Sequence, residues 1–98
     1  MFVKIIKSYR DIVAICDSNL LGKKFEQGEF QLDVKESFFK GNEISEEKLI
    51  EIIKKMSEED ATFQIVGEKS VRIALKEGII SQEGIKKIQK IPFALVLL

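Results

Sequence analysis

The sequence predicts a small α+β domain over residues 1–98, with a mostly antiparallel or mixed sheet and two main helices at about 46–57 and 68–77. Apolar segments of strand length stand near both ends of the chain, and two amphipathic stretches of helical length lie between them. Ninety-eight residues are enough for one hydrophobic core and too few for two. Hydrophobic content of 45% and charged content of 33% belong to a globular chain rather than a disordered or collagen-like one.

Phe2-Val3-Lys4-Ile5-Ile6-Lys7 shows much of the apolar/polar alternation of a strand. Ser8 to Asp11 is a polar turn, and Ile12 to Cys16 is a partner strand of buried character, so the two read as a hairpin. Asp17-Ser18-Asn19 favours local turns, or caps a single helical turn over Leu20-Leu21. Gly22 to Gly28 reads as a loop. Glu29 to Val34 places Phe30, Leu32 and Val34 on one face of a third strand. Ser37 to Asn42 is a loop or short turn carrying Phe38-Phe39 and ending at Gly41.

Ser45 is a good N-cap for a helix over Glu46 to Ser57, and Glu46 and Glu47 complement the positive end of its dipole. Ile44 and Leu49 occupy the positions of a hydrophobic staple, while Lys48 stands where a capping box needs Glu or Gln. Leu49, Ile50, Ile52, Ile53 and Met56 form the apolar face. After the acidic turn Glu58-Glu59-Asp60, the strand Phe63 to Val66 runs through Gly67 into a second helix that stops at Gly78. Ser81 to Gly84 is a loop, and Ile85 to Ile88 fits a strand or a helical turn equally well. Pro92 blocks helix continuation, and Phe93 to Leu98 reads as a closing strand.

The net charge is zero, yet charge is segregated. Residues 43–60 hold three basic and seven acidic groups, and residues 61–98 hold six and three, so the C-terminal third is basic. The absence of histidine removes the commonest general acid/base and the commonest metal ligand, and no cofactor is expected. The single Cys16 cannot form an internal disulfide, no apolar run reaches the roughly 18–20 residues of a membrane span, and no signal-peptide pattern opens the chain. The expectation is a cytoplasmic protein without a membrane partner.

The strand–glycine–helix junction at Gly67 is a candidate anion cradle, because a helix N-terminus turns backbone N–H groups outward. Glu68 opposes that role, and no nucleotide-binding fingerprint is present. Lys69, Arg72 and Lys76 share one side of the second helix, opposite Val71, Ala74 and Leu75, and are candidate phosphate contacts. A solvated face is the plain alternative. Lys23, Lys24, Lys86, Lys87 and Lys90 are further basic candidates, and Phe25, Phe30, Phe38, Phe39 and Phe93 are potential stacking faces for single-stranded RNA, although phenylalanines at strand spacing are ordinarily core.

For catalysis the candidates are Asp17, Asp33, Glu26, Cys16 and Ser18, which nothing in the sequence brings together, so a non-enzymatic role is expected. The C-terminal run offers an alternative function. As an edge strand it would present Phe93, Leu95 and Leu97 to a partner protein or to a second copy of the chain.

Several of these residues recur as a pattern: Cys16-Asp17 with Leu21-Gly22, Leu32-Asp33-Val34 with Phe38-Phe39 and Gly41, Val66-Gly67-Glu68 with Val71, Ala74, Gly78 and Ile80, and Ile91-Pro92-Phe93-Ala94. Nearly end to end, the pattern resembles a small archaeal family of uncharacterised proteins, catalogued as domain of unknown function 424. That family commonly ends in Gly-Val-Pro-His-Ala-Gln, where this chain has Lys90-Ile91-Pro92-Phe93-Ala94-Leu95 and so lacks the histidine and the amide. A Tyr is common in the family where Phe39 stands. The resemblance implies a compact α+β domain associated with translation and RNA, possessing no established activity. RNA or the ribosome is therefore the expected partner, with a homo-oligomer as the alternative.

Overall fold

A computed structural model describes residues 1–97. Eleven elements follow one another: β1 (Phe2–Ile6), β2 (Ile12–Cys16), β3 (Lys24–Gln27), β4 (Phe30–Asp33), α1 (Glu36–Phe39), β5 (Asn42–Glu43), α2 (Glu46–Glu58), β6 (Thr62–Val66), α3 (Glu68–Lys76), β7 (Lys86–Ile88) and β8 (Ile91–Val96). Single 3-10 turns occupy Ser18–Leu20 and Gln82–Gly84. The main sheet has six strands in the order β5-β1-β2-β6-β8-β7, and β3 and β4 form a separate two-stranded hairpin. β2 and β6 run parallel and every other pairing is antiparallel, so the mixed α+β architecture expected from the sequence is observed.

The strands' composition follows from their positions. β2 lies between β1 and β6 with both faces covered, which is why Ile12-Val13-Ala14-Ile15-Cys16 is continuously apolar instead of alternating. Val13 and Ile15 of β2, together with Phe63 and Ile65 of β6, face the helices, where they meet Leu49, Ile53 and Met56 of α2 and Val71, Ile73 and Ala74 of α3. Ala14, Cys16 and Val66 point the other way, into a second cluster with Leu20, Val34 and Phe39. The hairpin and α1 close that second face, with Phe25, Leu32 and Phe38 packed against it.

Both long helices obey the same end rules. Ser45 caps α2 by accepting a hydrogen bond from the Lys48 N–H at 3.2 Å. At its other end the Ala61 N–H reaches the Met56 carbonyl (3.1 Å) and the Asp60 N–H reaches Ser57 (3.2 Å), a Schellman closure that puts Asp60 at φ 55°. α3 ends the same way, through Ile79 to Ala74 (3.2 Å) and Gly78 to Leu75 (3.1 Å), with Gly78 at φ 80°. Glycine takes that conformation without steric cost, whereas Asp60 does not.

Three expectations need correction and one open alternative is decided. Residues 22–28 are not all loop: Lys24 to Gln27 form β3, because Phe25 alone points inward between exposed Lys24 and Glu26. Residues 37–42 hold the short α1 and the two-residue β5. The undecided segment at 85–88 is the strand β7. The closing strand begins at Ile91 and is not an edge along its first half, since β6 and β7 flank it there; the Leu98 end of the expected strand lies outside the described residues.

Candidate nucleic-acid interface

The strand–glycine–helix junction holds an anion, but one belonging to the chain itself. Asp17 leaves the end of β2, is buried, and projects into the N-terminus of α3. Its Oδ1 accepts from the Ser70 N–H at 2.9 Å and from the Ser70 Oγ at 2.7 Å, and its Oδ2 accepts from the Lys69 N–H at 3.1 Å. A carboxylate in this place satisfies two of the helix's otherwise unpaired N–H groups and sits against the positive end of its dipole.

Gly67 makes the room for it. Its φ is 112°, and a Cβ there would stand 2.3 Å from the Asp17 carboxyl carbon. Gly67 is itself buried, and its N–H donates to the Pro92 carbonyl at 2.9 Å. The expected phosphate contact at Gly67 is therefore corrected: the position a phosphate would take is filled by Asp17.

Lys69, Arg72 and Lys76 are exposed on the outer side of α3, and none joins an ion pair among the described residues. α3 packs on the face of the sheet carrying Val13, Ile15, Phe63 and Ile65. The remaining basic candidates lie elsewhere. Lys86 and Lys87 are on β7, Lys90 is in the turn that follows, and Lys23 and Lys24 stand at the start of β3. Lys24 lies 3.9 Å from Glu26 in an exposed pair.

Lys86, opposite Phe93 in register, and Lys87, which alternates to the other face of β7, both border aromatic rings. Together with Gln27, Phe30, Ile88 and Phe93 they line a cleft of about 350 Å³ between the tip of the β3–β4 hairpin and the β7–β8 edge. Phe30 is 72% exposed, unusual for a large apolar side chain in a chain with a well-filled core. Phe93 is half-buried on the hairpin face of the sheet, opposite Lys86 in register.

The cleft's far wall is held in an uncommon conformation. Ile88 pairs with Ile91, leaving Gln89 and Lys90 as a two-residue turn with φ of 49° and 68°. Two successive positive φ values are what a type I′ turn requires and what Asn-Gly ordinarily supplies. With Gln and Lys the cost is on the order of 1–3 kcal/mol for each residue. Two hydrogen bonds to the hairpin fix the turn: the Gln89 N–H donates to Gln27 Oε1 (2.8 Å) and Gln89 Nε2 donates to the Glu26 carbonyl (2.6 Å).

The other aromatic candidates are spent on packing. Phe38 and Phe39 meet edge to face with centroids 5.1 Å apart, Phe39 is buried, and Phe25 packs against the same cluster. Of the catalytic candidates, Cys16 is buried; burial first, and the charge of Asp17 second, push its thiol up to about 11. Asp17 lines a cleft with Met1, Ser18, Asn19, Glu68 and Lys69, whereas Asp33 lines one with Leu32, Phe39, Gln64 and Phe93 among others. Among the described residues no helix is long and apolar enough to cross a membrane.

That Phe30, Phe93 and Lys86 line one cleft depends on which strands become neighbours, so spacing alone does not reveal it. The exposed aromatic at the hairpin turn was the available signal.

A family model described as protein of unknown function (DUF424) matches residues 6–98. No curated protein matches the chain. Among solved structures, the chain is similar to the crystal structure of an uncharacterized conserved protein from Methanopyrus kandleri, at 18% identity and a TM-score of 0.83, over 97% of this chain and 88% of that one. At that identity the likeness is one of fold.

Proposed function

The chain belongs to the family of proteins of unknown function DUF424, and we propose that it is a non-enzymatic module that binds RNA, taking unpaired bases into the Phe30–Phe93 cleft. The observation that carries this reading is the cleft itself: an exposed aromatic and a half-buried one beside Lys86 and Lys87. Single-stranded nucleic-acid binders combine stacking surfaces with cations that follow the phosphates, and stacking is worth about 1–3 kcal/mol per base.

In this reading Phe30 and Phe93 stack on bases, while Lys86, Lys87 and Lys90 attract the backbone. The hydrogen-bonded Gln89–Gln27 contact keeps the two walls at a fixed separation, which lowers the ordering cost on binding. Lys69, Arg72 and Lys76 stand on the other side of the sheet and engage a second stretch of a folded RNA. Asp17 and Gly67 act by positioning α3. Translation in the cytoplasm is the proposed setting, and co-sedimentation with ribosomal fractions tests it.

The decisive experiment is fluorescence anisotropy with a labelled single-stranded oligoribonucleotide of about ten nucleotides. Phe30→Ala is expected to weaken binding by about 5- to 150-fold, the stacking range converted to affinity. Lys86→Glu with Lys87→Glu is expected to lower the salt slope by about 1.4, since each phosphate neutralised on a single strand contributes about 0.7. Unchanged affinity in both variants overturns the reading.

A further inference from the structure

We propose that the second half of β8 is a self-association edge, through which two copies of this chain join their sheets in antiparallel register about Val96. Hydrogen-bond parity along β8 decides which residues keep free backbone groups. The Gly67 N–H donates to the Pro92 carbonyl, so residues 92, 94 and 96 turn their backbone groups toward β6. Residues 91, 93, 95 and 97 then turn theirs toward the opposite side. β7 satisfies Ile91 and Phe93 there, pairing them with Ile88 and Lys86, and then ends. Leu95 and Leu97 have no ladder partner on that side among the described residues.

Their side chains are equally unprovided for. Leu95 is 55% exposed and Leu97 is 72% exposed, and a cleft of about 240 Å³ separates Ala94–Leu97 from Ile79–Ser81 and Gly84. Sheet edges are ordinarily guarded by lysine, proline or a bulge. The opposite edge of this sheet follows that rule, because Lys4 and Lys48 flank the groove beside the two-residue β5. Ala94-Leu95-Val96-Leu97 carries no such guard.

The occupant that fits is a second copy. Antiparallel pairing centred on Val96 opposes Leu95 to Leu97 of the other copy and Leu97 to its Leu95. Both members of each pair turn their free N–H and C=O groups outward, so each pair closes a hydrogen-bonded ring. A two-fold axis through that centre is perpendicular to the sheet, and it brings all four leucines together on one face. Ala94 to Leu97 carry no charged side chain, and β7 need not move, because it pairs only with residues 91–93. The contact is short, so it belongs with the small, weak interfaces and not with obligate ones.

Sedimentation equilibrium between about 10 µM and about 1 mM, the range of weak association, tests the oligomeric state. The average mass is expected to rise toward twice the monomer with increasing concentration, and Leu95→Lys with Leu97→Lys is expected to abolish the rise. Both positions are exposed, so the variant retains its fold. The register has its own test. Leu95→Cys combined with Leu97→Cys is expected to give a covalent dimer under mild oxidation, and Leu95→Cys alone is not, because position 95 faces position 97 of the other copy. A monomer at every concentration, or a dimer that survives the lysine variant, overturns the proposal; so does equal cross-linking by the single cysteine variant.

Discussion

Replacing Asp17 by Ala removes the carboxylate that joins β2 to α3, and the consequences can be counted. Two backbone N–H groups lose a capping acceptor, which costs up to about 2 kcal/mol at a helix N-terminus. The Ser70 hydroxyl, fully buried, loses its acceptor as well, and an unsatisfied buried hydroxyl costs about 1–3 kcal/mol. Together the loss is about 3–5 kcal/mol, a large share of the roughly 5–15 kcal/mol that holds a domain of this size. Urea denaturation followed by circular dichroism is expected to show the midpoint falling by about 2–3 M at an m-value near 1.5 kcal/mol/M. Adding Ser70→Ala to the variant removes the orphaned hydroxyl and is expected to recover about 1 kcal/mol, so the two substitutions are not additive. A loss below about 1 kcal/mol, or strict additivity, refutes the capping account.

The two Schellman ends predict opposite signs: Gly78→Ala is expected to destabilise by about 1 kcal/mol, because φ 80° is unfavourable with a Cβ, and Asp60→Gly to stabilise by up to about 1 kcal/mol, both by urea denaturation. The Cys16 thiol, raised from 9.0 to about 11, ionises more easily in the unfolded chain. Its contribution is therefore fully present below pH 9 and lost as pH rises toward 11, and comparison with Cys16→Ala is expected to show a steeper alkaline decline in the wild type. Reversing Lys69, Arg72 and Lys76 together is expected to leave a ten-nucleotide single strand bound within about 2-fold and to lower both affinity and salt slope for a folded RNA fragment; equal weakening of both would place the α3 stripe in the same site as the cleft.

What the sequence discloses differs from element to element for physical reasons. α2 is legible because Ser45, Glu46, Glu47 and the spacing of Leu49, Ile53 and Met56 all favour the same helix. β3 is hidden because Lys24-Phe25-Glu26-Gln27 offers one inward side chain, too few for a period to declare itself. β7 is only three residues long. Asp17 and Gly67 each stand out locally, yet their meaning lies in a contact between residues about 50 apart, made only once β2 and β6 pair in parallel. The position of β8 between β6 and β7 is likewise a matter of strand order. The same order divides the basic residues between the two sides of the sheet and brings Phe30 to Lys86.

The Phe30–Phe93 cleft carries the proposed function, and one titration reaches it directly. Labelled single-stranded RNA should be titrated with wild type and with Phe30→Ala, after both are shown to have the same urea midpoint. Phe30 is largely exposed, so its loss is expected to leave stability within about 0.5 kcal/mol. Undiminished folding with affinity reduced at least about 5-fold is the predicted result. Equal affinity for the two proteins, or no binding by either at low salt, would contradict it.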